Sequence, residues 1–133
     1  SILVKDPSGN TWFMDGAGNI SVTAPKNFTV NAGENITMTA GKNVTVSAGD
    51  DMDNSAGKNI TQTAGNDLSQ SAMGNITEMS NNRTEMVEKD FIRQADTSNE
   101  IASEVTIFSQ KENMTLQSGK TVEVNSAEKS KMF

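Results

Sequence analysis

An eight-residue repeat occupies residues 17–80 and constrains the fold of this chain more than any other feature. Gly opens five successive repeats, here called octads, and Ala closes seven of them. The third place of an octad is nearly always Asn or Asp, and the fourth place is always apolar. The fourth-place residues are Ile20, Phe28, Ile36, Val44, Met52, Ile60, Leu68 and Ile76. A short, regular period of this kind predicts a stacked architecture in which each repeat is one structural unit.

Each octad has the pattern of one short β-strand followed by one turn. Residues 36–40 alternate apolar and small side chains, which is typical of a half-buried strand. Gly, a charged residue and Asn then predict a turn, because Gly accepts a positive φ and Asn can close an Asx-turn. Helix is disfavoured, since β-branched residues are frequent and Gly interrupts the pattern at intervals of eight. We therefore expect an all-β fold.

The composition restricts how the octads can be arranged. Only 34% of the 133 residues are apolar, which is too few for an ordinary globular core. A single chain with three octads per coil would complete fewer than three coils, which is marginal for a solenoid. Three chains wound about one axis would instead bring their fourth-place side chains together and leave few free strand edges. We predict this second arrangement, an intertwined three-chain β-helix (a triangular β-prism) whose trimer core is the fourth-place column.

The sixth place changes from apolar to polar along the repeat. Its residues are Val22, Val30, Met38 and Val46, followed by Asn54, Gln62, Gln70 and Glu78. Two interpretations are open. Either the interior becomes polar and holds water, ions or stacked amides, or the later octads rotate and the sixth place faces solvent.

The repeat becomes irregular after residue 80. Residues 84–95 lack Gly and Pro and could form a helix on propensity alone. Apolar pairs two residues apart then return, and these are Val105 with Ile107, Met114 with Leu116, and Val122 with Val124. We predict a leading segment at 1–16, a regular octapeptide β-prism at 17–80 and a less regular β-prism continuation at 81–133. A helix is the alternative for 84–95.

Residue types that most catalytic and metal sites need are missing. The chain has no His and no Cys, which removes the commonest general base and all thiolate ligands. Asp50, Asp51 and Asp53 could bind calcium, but such a cluster does not return in the other octads, and a solvated turn is the simpler interpretation. A net charge of −6 argues against a nucleic-acid partner, since phosphate binding requires a basic face. We predict no enzyme activity, no cofactor and no metal site.

The octads, the segment 5–12 and the Asp15-Gly16 turn resemble the C-terminal spike of VgrG proteins. VgrG is the trimeric tip component of type VI secretion systems and is similar to the central spike of contractile phage tails. The resemblance covers the whole chain and is strongest over residues 1–80, where the octad 41–48 is typical. It implies an intertwined homotrimeric β-helix that acts as the non-catalytic, membrane-piercing spike of a contractile injection system.

The resemblance also implies partners and a location. A PAAR-type tip protein is expected at the C-terminal end, with secreted effectors attached to that tip or to the spike. A tail-tube protein is expected to join through a globular base upstream of Ser1, and no effector domain is expected after Phe133. Contact with the target membrane is transient. The protein is expected in the bacterial cytoplasm before firing and afterwards outside the cell or inside the target cell.

The C-terminal face of a three-chain prism would expose unpaired strand edges that need covering. Val122, Val124, Met132 and Phe133 lie close to that end in sequence, and we predict that they border the docking surface for the tip protein. The alternative for the last two residues is that they fray or fold back over the core.

A different function follows if the octads form a single-chain solenoid. Thr and Ser occupy the fifth and seventh places of many octads, as in Thr37 with Thr39 and Thr61 with Thr63. Stacked on one flat face, their hydroxyls would form a regular array that could bind ice or a surface. Thr and Ser also suit solvent-facing strand positions in general. Oligomeric state separates these alternatives, because this solenoid could be a monomer and the spike could not.

Overall fold

A computed structural model describes residues 1–131 of the chain. It contains three β-strands, which are β1 (Ile2–Lys5), β2 (Thr11–Met14) and β3 (Ile20–Thr23). They form one antiparallel sheet in the order β1-β2-β3. No helix forms anywhere in residues 1–131, including the stretch 84–95 for which a helix was the alternative. The prediction of an all-β chain is confirmed.

Two turns of the same design join these strands. Residues 6–10 and 15–19 share the pattern Asp-x-x-Gly-Asn. In the first turn, an Asp6 carboxylate oxygen accepts hydrogen bonds from the backbone amides of Ser8 and Asn10, each at 3.0 Å. The Asn10 side-chain amide donates to the other oxygen of that carboxylate at 2.9 Å. Gly9 has a φ of 98°, which glycine adopts more readily than any other residue.

The second turn repeats these contacts with Asp15 and Asn19. The Ala17 amide donates to the Asp15 carboxylate at 2.6 Å, and the Asn19 side chain donates to its second oxygen at 2.7 Å. Because these bonds favour the ionised acid, they lower the pKa of both aspartates. The Ser8 hydroxyl and then the Asn10 side chain lower the pKa of Asp6 to about 2, and the Asn19 side chain is the main cause at Asp15. Both turns are therefore held by charge-assisted hydrogen bonds.

One face of the sheet is entirely apolar. Residues opposite one another in the register share a face, and the pairings align Ile2 with Met14 and Ile20, and Val4 with Trp12 and Val22. These six residues are called the apolar sheet face below. The strand β3 belongs to the first octad, so Ile20 and Val22 are its fourth and sixth places. The sheet therefore places the fourth and sixth places of an octad on one side of the chain.

Beyond β3 the backbone bends at nearly constant intervals. The bends in the regular octads lie at 25–26, 33–34, 41–42, 49–50, 57–58, 65–66 and 73–74. Later bends lie at 81, 88–89, 96–97, 103, 110–112, 119–120 and 127–128. The interval is eight residues up to residue 81 and seven to nine afterwards. Regular bending thus continues, at intervals of seven to nine residues, through the stretch where the sequence repeat becomes irregular.

The octad glycines do not use the conformation expected of them. Positive φ angles among the described residues occur at Gly9, Gly16 and Gly18, all in the two Asp-x-x-Gly-Asn turns. The expectation that the octad glycines adopt a positive φ is therefore wrong. At Gly41 an added Cβ would meet nothing within 4 Å of its own chain, and the other octad glycines are equally open. No contact within the chain explains why glycine opens these octads.

The chain beyond the sheet forms almost no backbone hydrogen bonds or buried contacts of its own. Between residues 24 and 131, no backbone amide of the described chain donates a hydrogen bond to a backbone carbonyl of the same chain. No residue in the described part is buried, and the chain exposes 15026 Å². A folded monomer of this mass exposes only about 6,800 Å². The chain divides into two units, Ser1–Gln70 and a second unit that begins at Ser71.

Candidate functional site

The predicted trimer core lies exposed along the chain. Each of its eight fourth-place side chains is at least half exposed, from 50% at Met52 to 66% at Phe28. Each of these residues comes two positions after a bend of the backbone, so the same local geometry positions all of them. The structure therefore shows a repeated series of apolar side chains that the chain does not cover itself.

The apolar sheet face continues into this series. A groove of about 370 Å³ lies between the sheet and the second octad. Val4, Trp12 and Val22 line it from the sheet, and Phe28 lines it from the second octad. Trp12 remains 46% exposed in this groove. The groove joins the fourth-place residue of the second octad to the sheet, so the uncovered apolar surface begins at β1.

Sequence reasoning missed most of the apolar sheet face. The sequence predicts only a leading segment over residues 1–16 and assigns Ile2, Val4, Trp12 and Met14 to no surface. A signal was present, since these residues form two apolar pairs at a spacing of two. The two Asp-x-x-Gly-Asn segments that bring the pairs together were also visible as turn sequences.

A charged cluster lies in the second unit. The Arg83 guanidinium forms ion pairs with Glu78 and Glu85, and its Nε donates to Glu85 Oε1 at 3.0 Å. The Arg93 guanidinium lies 5.9 Å from the centre of the Phe91 ring. All five residues line one groove of about 420 Å³. We call Glu78, Arg83, Glu85 and Arg93 the charged cluster.

The charged cluster occupies fourth and sixth places of the octad pattern. Glu78 is a sixth-place residue. Counted from the bend at 88–89, Arg83 and Glu85 take the fourth and sixth places before it, and Phe91 and Arg93 take the same places after it. Arg93 also lines a second groove together with Ile76, a fourth-place residue. Fourth-place and sixth-place side chains therefore meet on the same side of this unit.

The sequence held a clue to this cluster that was not used. Arg83 and Arg93 are the only arginines of the chain, and both lie where the octads become irregular. Arg83 lies in the interval between the bends at 81 and 88, which is seven residues and therefore one shorter than in the regular octads. Single-sequence reasoning could not locate that shortened interval, because the residues 81–87 fit the octad pattern poorly.

The predicted docking surface is only partly described. Val122 and Val124 lie between the bends at 119–120 and 127–128, and they are 50% and 64% exposed. Met132 and Phe133 lie outside the described residues. Docking of a tip protein at this end remains a prediction.

The described residues contain neither a metal-binding cluster nor a membrane-spanning helix. Within residues 1–131, no group of three or more acidic side chains comes close enough together to hold a metal ion. The same residues contain no helix of the length and hydropathy that a bilayer crossing requires. No protein-family model, curated protein or solved structure matches the chain. The function of the chain is therefore inferred from its sequence and its own geometry.

Proposed function

We propose that the chain is one of three identical chains that wind into an intertwined β-helix, and that this homotrimer is the non-catalytic spike of a type VI secretion system. One observation carries the proposal. The backbone between residues 24 and 131 bends every seven to nine residues but makes no hydrogen bond with itself among the described residues. Backbone donors and acceptors without internal partners must be paired elsewhere when a structure becomes compact.

The exposed apolar surface supports the same proposal. The chain exposes 15026 Å², which exceeds the area expected of a folded monomer by about 8,000 Å². Obligate interfaces between subunits bury about 2,000–5,000 Å² in total and resemble a divided protein core. The fourth-place column and the apolar sheet face together supply the apolar area for such interfaces. Burial of this apolar area would favour assembly.

Three parallel copies account for these features better than one chain does. If each octad forms one wall of a triangular prism, its two sheet neighbours on that wall come from the other copies, and the edges of the prism are closed. The alternative is a single-chain solenoid that binds ice or a surface through its Thr and Ser side chains. A solenoid needs hydrogen bonds between successive coils of its own chain, and the described octads contain none.

A homotrimer of this kind suits a piercing function. Hydrogen bonds between chains at every level give axial stiffness, and interlocked chains unfold slowly because they must unthread. In the proposed function, a PAAR-type tip protein covers the C-terminal face and effectors travel on that tip or on the spike. A tail-tube protein connects at the N-terminal side, and the target membrane is crossed transiently during secretion.

Native mass spectrometry combined with small-angle scattering tests the proposal. A homotrimer has a mass of about 43 kDa, three times the 14.2 kDa of one chain, and a rod-like scattering profile. A compact monomer of 14.2 kDa would overturn the intertwined trimer and favour the solenoid.

The secretion role needs a separate test in which a PAAR-type protein is titrated against the trimer. Val122→Asp should weaken binding in samples that native mass spectrometry shows to be trimeric, whereas Val44→Asp should disrupt the trimer itself. Failure of the intact trimer to bind any PAAR-type protein would remove the support for the tip-docking role.

A further inference from the structure

We infer that the charged cluster sets the axial register between copies of this chain. The inference rests on the proposed homotrimer. It concerns the axial register, which is the choice of the octad in one chain that lies beside a given octad of the next chain. Each copy contributes two carboxylates and two guanidinium groups to the cluster, so its formal charge is zero. A surface with this balance is complementary to a second copy of itself, which is the partner proposed here.

The regular octads leave the register of the assembly poorly determined. If one chain slipped by eight residues, Ile36 would take the level of Val44, and apolar side chains would still face apolar side chains. Repeated strands with similar faces are prone to such slippage. The bends offer no correction either, because they follow each other at eight residues from 25 to 81. A feature that occurs once along the chain is needed to select one register.

The charged cluster is such a feature. Arg83 holds a fourth place that is apolar in every octad between 17 and 80, and the interval of seven residues that surrounds it interrupts the period. A slip by one octad would bring Arg83 to the level of Ile76 or Phe91. The Arg83 guanidinium would keep only the glutamates of its own chain and would be buried against apolar side chains. Since the desolvation of a buried ion pair can exceed its Coulombic attraction, the slipped assembly would be disfavoured. A single polar residue at a core position sets the register of coiled coils for the same reason.

The contacts within one chain leave the cluster able to bind neighbours. Arg83 and its two glutamates are about half exposed, so their remaining donors and acceptors are accessible. Arg93 lies over the Phe91 ring, and no carboxylate of the described residues lies within ion-pair distance of it. Its five N–H donors can therefore reach carboxylates of a neighbouring copy.

Distances between spin labels can measure the register directly. The chain has no Cys, so a Lys58→Cys variant carries one label per copy at a bend. In-register copies place three equivalent labels at one distance, which pulsed electron paramagnetic resonance resolves.

Two variants of the charged cluster and one control are compared. A neutral variant combines Glu78→Gln, Arg83→Gln, Glu85→Gln and Arg93→Gln. A swapped variant combines Glu78→Arg, Arg83→Glu, Glu85→Arg and Arg93→Glu. The control is Glu88→Gln with Lys89→Gln, which removes one charge of each sign at a bend.

We expect the unmodified cluster, the swapped variant and the control to give one narrow distance. The neutral variant should remain a trimer by native mass spectrometry but give two or more distances. If it fails to assemble while the swapped variant assembles with one distance, charge pairing between copies is likewise supported. A neutral trimer with one narrow distance would overturn the register inference and leave the homotrimer standing. Failure of the swapped variant to assemble would also overturn it, and a monomeric parent chain would overturn both proposals.

Discussion

The sheet of residues 2–23 and the bending chain of residues 24–131 differ in how their backbone hydrogen bonds are made. In the sheet, three short strands pair with one another, and two aspartates close the turns between them. Over residues 24–131, the described backbone bends regularly, but none of its amides donates a hydrogen bond to a backbone carbonyl of the same chain. The sheet is specified by local sequence, whereas in the proposed trimer the geometry of residues 24–131 would become stable only through pairing with the other chains. Regular local geometry and independent stability are therefore separate properties of a sequence.

The largest expected effect breaks the octads and leaves the sheet intact. Ile36→Asp would place one charge per chain in the proposed trimer core, and each buried, unpaired charge costs several kcal/mol. We expect the trimer to be lost and native mass spectrometry to find a 14.2 kDa chain. Thr37→Asp is the matched control, because its side chain alternates to the opposite side of the strand and should leave the trimer assembled. A stable Ile36→Asp trimer would show that the fourth place does not face inward.

Hydrogen exchange should show the same contrast along the backbone. In the assembled protein we expect octad amides to exchange at least a hundredfold more slowly than in the dissociated Ile36→Asp chain, because pairing between chains protects them. Amides of β2 that pair within the sheet should change much less between the two samples. Equal protection of the octads in both samples would mean that they do not depend on neighbouring chains.

Two glycine substitutions compare the turns of the sheet with the bends of the octads. Gly18 has a φ of 95°, so Gly18→Ala should destabilise the sheet by about 1 kcal/mol. Gly41 lacks a positive φ and an added Cβ meets nothing of its own chain, so Gly41→Ala should be neutral or slightly stabilising. Urea unfolding followed by the fluorescence of Trp12 and by trimer mass measures both. A comparable loss at Gly41 would indicate that a neighbouring copy fills the space at that bend.

The smallest effect is the pH dependence of the first turn. The pKa of Asp6 falls from 3.8 to about 2 in the folded sheet, chiefly through the Ser8 hydroxyl. The ionised form is the one that the turn binds, so its contribution is complete above pH 3.8 and is lost as the pH falls toward 2. In Asp6→Asn this loss should disappear from the acid titration of Trp12 fluorescence. An unchanged acid titration in that variant would show that other carboxylates determine it.

Some features of the sheet and of the bending chain could be predicted from the sequence, and others could not. The alternation of apolar and small residues in the octads was sufficient to predict an all-β chain, because the period of side chains reflects backbone conformation directly. The octad glycines were misjudged, since the turns that need positive φ are the Asp-x-x-Gly-Asn segments and not the bends. The charged cluster was not predicted, because Arg83 lies in a shortened interval between bends that the octad pattern does not mark. The number of copies and their register are properties of an assembly, and one sequence records them only through the residues that meet there.

The sheet has a consequence for how the molecule would come together. Among residues 1–131 it is the part whose backbone bonds can form before any encounter between chains. The encounter of three chains through their folded N-terminal sheets would then be the slow, concentration-dependent step. Pairing between the chains would proceed from Ile20 toward the C-terminus. Removing residues 1–23 would leave the octads with nearly the same apolar surface but with no defined place to start. Such a chain would assemble slowly, because the first contacts between chains would have no ordered segment to form on. The finished trimer could still be almost as stable.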